Sequence, residues 1–76
     1  MPLFYFDIVE QAGVKLDDRG EVFVDPDSAI RQATMMARER ASFHQYMPCY
    51  VEVKNSTGET IAKISVAKKP TFYLIH

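Results

Sequence analysis

Only one stretch of the chain, Asp25–Met47, is long enough to carry a helical period. Whatever else forms must therefore pack on a single helix. Asp25 suits the N-cap, where a carboxylate accepts from the unpaired amides of the first turn. Pro26 follows at the first helical position, where a missing N–H costs nothing. Asp27 sits at the positive end of the helix dipole, and Arg38, Arg40 and His44 lie toward the negative end. Pro48 predicts the stop. At about 100° per residue, Ala29, Ile30, Ala33, Met36, Ala37, Ala41, Phe43 and Met47 share one stripe. The stripe is rich in alanine, which lets a helix lie close against a sheet. Arg40 and His44 interrupt it. Either the last turns overhang the sheet and Arg40 runs its methylenes along apolar surface, or the pair forms a basic site for an anion or a partner's carboxylate.

The strands read from alternation. Leu3–Val9 sets Phe4, Phe6 and Ile8 on the helix side, and Tyr5 and Asp7 on the other. Glu10–Gly13 is a turn or loop. Val14–Leu16 and Glu21–Val24 flank Asp17-Asp18-Arg19-Gly20, which has turn chemistry. They form a short hairpin, or a meandering loop with one strand at Glu21–Val24. After the helix, Cys49–Lys54 and Glu59–Val66 form a hairpin through Asn55-Ser56-Thr57-Gly58. Val51, Val53, Ala62, Ile64 and Val66 form its apolar side. Thr71–His76 has strong β propensity. It adds to a sheet edge, covers the outer face, or pairs with another copy of the chain. The fold class is α+β: a three- to four-stranded, mostly antiparallel sheet with one helix on one face, in the order β-(β)-α-β-β, plus a C-terminal extended segment over residues 67–76.

At 76 residues the chain is one domain of slender stability, and domains of this size often gain stability by self-association. Its 47% apolar content argues against disorder. One cysteine excludes an internal disulfide and fits a reducing compartment. No stretch has the pattern of a signal peptide or the length of a membrane span, so the cytoplasm is expected. A net charge of −1 gives no general pull toward nucleic acid or membrane. The charge is unevenly spread, however. Residues 1–27 hold seven acids and two bases, and residues 28–76 hold three acids and seven bases. The two halves neutralise each other across the fold, or they make a polar molecule that associates head to tail.

No catalytic set stands out. Cys49 and His44 lie on either side of a proline-broken helix end, and that spacing fixes no geometry for a nucleophile and its base. Cys49 reads as a small buried hydrophobe. His44, Cys49 and His76 are too scattered for a metal site. Asp17, Asp18, Glu21, Asp25 and Asp27 do not follow calcium-loop spacing, and turn and capping chemistry accounts for them. No cofactor is expected. The candidate interaction surface is Tyr5, Tyr50, Lys54, Lys63, Phe72 and Tyr73, drawn from the far sheet face and the C-terminal segment. Aromatics beside lysines on an open sheet suit single-stranded nucleic acid, but Asp7 and Glu52 share that face and repel phosphate.

A pattern runs through residues 1–66: Met1-Pro2, the strand Phe4-Tyr5-Phe6-Asp7, Asp17/Asp18 with Gly20, and Asp25 opening a helix with Ala29, Ala33 and Ala37. It continues with Val51-Glu52-Val53 and a turn at Gly58. The chain resembles a family of small bacterial proteins classed as a domain of unknown function. The resemblance implies a compact α+β fold and carries over no catalytic residue. It does not include Lys68–His76. The expected role is a non-enzymatic protein–protein interaction or self-association module, a homodimer through the Tyr5/Tyr50 face or the Thr71–His76 edge, with itself or an unidentified protein as partner. The alternative is single-stranded nucleic-acid binding through the open sheet face.

Overall fold

The structure is a computed structural model that describes residues 2–42 and 49–75. Its elements in chain order are β1 (Leu3–Glu10), β2 (Gly13–Lys15), β3 (Glu21–Val22), α1 (Pro26–Ala41), β4 (Cys49–Lys54), β5 (Thr60–Ser65) and β6 (Phe72–Leu74). The sheet runs β2-β1-β4-β5-β6, with β3 also paired to β1, and every pairing is antiparallel.

The α+β class holds, but the sheet is larger than expected, with six strands rather than three or four. The additions are short. β2 and β3 do not form a hairpin with each other. Each pairs with the same outer edge of β1, β2 at Ile8–Glu10 and β3 at Leu3–Phe4. The tight hairpin is instead β1–β2, closed by Gln11-Ala12. The C-terminal segment adds to the sheet within its own chain, as β6 on β5.

The helix begins as its sequence dictates. Asp25 caps it, its carboxylate accepting from the Ser28 N–H at 2.8 Å, and Pro26 opens the first turn. α1 spans Pro26–Ala41 with Ser42 as C-cap. The expected continuation to Met47, with Phe43, His44 and the stop at Pro48, lies outside the described residues. Ala29, Ala33, Ala37 and Ala41 are buried. They meet Phe4, Phe6, Ile8, Val51, Val53, Ala62 and Ile64 in one core, with Ile30 and Met36 packed at its margin. The alanines on the helix side let it lie close to the sheet, so side-chain volume comes from the strands. Phe23, just after β3, seals the open end, its ring 6.2 Å from Phe4 and 5.7 Å from Phe6.

Two turns need their glycines or amides. Gly58 follows an Asn55 side chain that accepts from the amides of Thr57 and Glu59 at 3.1 and 2.9 Å. Gly20 has φ +73°, and a Cβ there would lie 2.9 Å from the Phe4 carbonyl and 3.0 Å from the Tyr5 ring. Gly20→Ala is therefore expected to cost about 1–3 kcal/mol, a left-handed penalty plus displacement of Tyr5. Thermal unfolding checks this, and an unchanged midpoint would contradict it.

Candidate interaction surface

The pleat sorts the sheet into two faces. On the helix side lie Phe4, Phe6, Ile8, Val51, Val53, Ala62, Ile64, Phe72 and Leu74. On the far side lie Tyr5, Asp7, Val9, Tyr50, Glu52, Lys54, Lys63 and Tyr73. Five of the six candidate surface residues thus share the far face. Phe72 does not. It neighbours Tyr73 in sequence, so it points to the opposite side.

The far face is internally satisfied. Asp7 is only 3% exposed although it points away from the helix. Its carboxylate takes the Lys54 ammonium at 2.8 Å and the Asp17 N–H at 2.9 Å. Asp7 accordingly holds the Lys54 ammonium above its usual pKa, first through that hydrogen bond and then through its charge. The Lys63 ammonium lies 5.0 Å from the centre of the Tyr50 ring, a cation–π distance. Glu52 accepts from the Thr60 hydroxyl. The cations that would attract phosphate are thereby engaged within the chain.

Asp17 closes a gap that the short strands leave. Between the β2 and β3 pairings, the outer edge of β1 has no strand beside it. The Asp17 carboxylate fills that place, accepting from the amides of Phe6 at 3.0 Å and of Arg19 and Gly20 at 3.1 Å each. Partial burial pushes its pKa up, but the Gly20, Phe6 and Arg19 amides outweigh this and hold it below the ordinary range. A depressed carboxylate contributes stability that is complete above the unfolded-state value and is lost as pH falls through the folded one. Asp25, depressed first by its Ser28 amide bond, acts in the same direction. The thermal midpoint is expected to fall in acid below about pH 4. Asp17→Asn should lower the midpoint at neutral pH and flatten that acid slope. An acid slope unchanged in Asp17→Asn would rule out this role.

Arg40 meets a carboxylate of its own chain. Its Nη2 donates to Glu10 Oε1 at 2.9 Å, joining the end of α1 to the end of β1. His44, its expected companion, lies outside the described residues, as does His76. Cys49 pairs with Glu10 across the strands and is half-buried. Burial, then the Glu10 charge, push its thiol up against the opposing pull of Arg40. A protonated thiol is a poor nucleophile. Among the described residues, no three His, Cys, Asp or Glu side chains are placed to hold a metal ion. Among them too, no helix is long and apolar enough to cross a membrane.

Sequence reasoning missed a groove of about 450 Å³ between α1 and the loop after β2. Phe6, Ile8, Leu16 and Met36 line it, with polar groups that include Lys15, Asp17, Asp18, Glu21, Gln32 and Arg40. Asp17 and Arg40 already serve the fold through the bonds above.

The remaining surface is the β6 edge. Phe72 is 53% exposed, Tyr73 63% and Leu74 54%, with Ile75 beside them also exposed. Ser65 N–H donates to the Thr71 carbonyl and Ile75 N–H to the Ile61 carbonyl, so the odd-numbered residues of the segment face β5. The backbone groups of Phe72 and Leu74 therefore point outward, with no strand beside them among the described residues.

No curated protein and no solved structure matches the chain. One family model matches residues 3–67, from the start of β1 to just past β5, and leaves β6 outside it. The chain belongs to that family, a domain of unknown function (DUF6894).

Proposed function

We propose that the domain is a non-enzymatic protein–protein interaction module of the cytoplasm that works by self-association. The observation that carries this reading is the β6 edge: a run of exposed apolar side chains on a strand whose outward backbone groups meet no strand among the described residues. Such an edge is a template for another strand. It lacks the charged residues that commonly deter such pairing, since Thr71–Ile75 contains none.

The titratable groups support a structural rather than a catalytic use. Asp7, Asp17, Arg40 and Lys54 are each tied to partners within the chain. Nucleic-acid binding is less favoured, because Lys54 and Lys63 are engaged by Asp7 and Tyr50.

Light scattering across the micromolar range tests the proposal. The mass is expected to rise from one chain toward two as concentration increases. Phe72→Lys with Leu74→Lys should hold it at one, because paired strands would then bring like charges together. A parent protein that stays monomeric throughout would overturn the reading.

A further inference from the structure

We infer that the partner at the β6 edge is a second copy of the same strand, paired antiparallel about a two-fold axis through Tyr73. This rests on the self-association reading and specifies its geometry. The groups of the edge left unpaired among the described residues are the N–H and C=O of Phe72 and of Leu74, spaced symmetrically about Tyr73. An antiparallel copy centred on Tyr73 sets Phe72 opposite the second copy's Leu74, and Leu74 opposite its Phe72. Each of these pairs exchanges two hydrogen bonds, so every free group of the strand is used.

Shifting the axis to Phe72 would oppose Leu74 to Pro70, which has no N–H to give. Pro70 therefore disfavours that register. In the centred register, Tyr73 meets its own symmetry mate in the close, non-hydrogen-bonded position on the far face. Phe72 and Leu74 meet across the axis on the helix side. Both contacts are apolar or aromatic, the kind that stabilises cross-strand pairs. The strand carries no charge, so a second copy brings no repulsion. The rival occupant, the β2–β3 edge of another copy, is a poorer template. It is not one continuous strand: the Asp17 loop interrupts it between β2 and β3.

Cysteine cross-linking reads the register. In a Cys49→Ala background, Tyr73→Cys is expected to form a disulfide dimer under mild oxidation, since opposed Cα atoms in such a pair lie about 4.5 Å apart. Thr71→Cys alone should not cross-link, because its symmetry mate is displaced along the strand. An equimolar mixture of Thr71→Cys and Ile75→Cys, which keeps Tyr73, should give the mixed dimer. Light scattering on the parent accompanies these measurements. A dimer in which neither Tyr73→Cys nor the mixture cross-links would overturn the two-fold pairing and leave self-association standing. Mass growing beyond two chains would overturn it in favour of head-to-tail assembly. A monomer at every concentration would overturn both.

Discussion

Ile64→Ala is expected to cost about 2–5 kcal/mol and to lower the thermal midpoint by more than about 10 °C. Ile64 is fully buried on β5, and its side chain is among the largest in the core with no exposure at all. The cost depends on how well the site can collapse. Here collapse is hindered, because much of the surrounding core is alanine, with no rotamer to swing into a void: Ala33, Ala37 and Ala62 are each buried. A domain of this length has roughly 4–11 kcal/mol of stability in total. The variant therefore loses a large share of it. Denaturant unfolding measures the loss directly, and a cost under about 1 kcal/mol would show that the helix closes over the gap.

Lys54→Met is expected to be nearly as damaging, at about 3 kcal/mol, because it leaves the buried Asp7 carboxylate without its counter-charge. The Lys54 side chain is 28% exposed, so water reaches the site and holds the cost to the lower end of the usual range for a broken buried pair. One bond to Asp7 survives, from the Asp17 amide. A further result follows from this cause. Replacing both partners, Asp7→Leu with Lys54→Met, should recover part of the loss, because an apolar pair needs no compensation. A double variant as unstable as the sum of both single variants would contradict the pairing.

What could be read beforehand was what repeats. The helix start, the alanine stripe and the β4–β5 hairpin all carry a period over several residues, and the structure has them where the alternation put them. β2 and β3, at three and two residues, are too short to carry a period, and their shared partner β1 is fixed only by the fold. That is why a hairpin between them seemed natural. The candidate surface grouped Phe72 with Tyr73, but the β5–β6 register puts them on opposite faces, since neighbours on a strand cannot share one.

The missed features are non-local. Asp7 reads as solvent-facing on its strand, yet the loop through Asp17 and the long reach of Lys54 enclose it. Glu10 and Arg40 are thirty positions apart, and only the close helix–sheet packing brings them together. Asp17 looked like turn chemistry and partly is, since it accepts from Arg19 and Gly20. Its bond to Phe6 becomes legible only once the break between β2 and β3 is known. The sequence resemblance stopped at residue 66 and the family match at residue 67. β6, the element on which the proposed association rests, is thus carried by residues outside that family match.

The most direct measurement is amide hydrogen exchange at Phe72 and Leu74, followed at low and high protein concentration. Edge pairing predicts that both amides slow as concentration rises, while Tyr73 and Ile75, whose amides already face β5, change little. Fast and unchanged exchange at Phe72 and Leu74, in a sample that light scattering finds dimeric, would contradict the account.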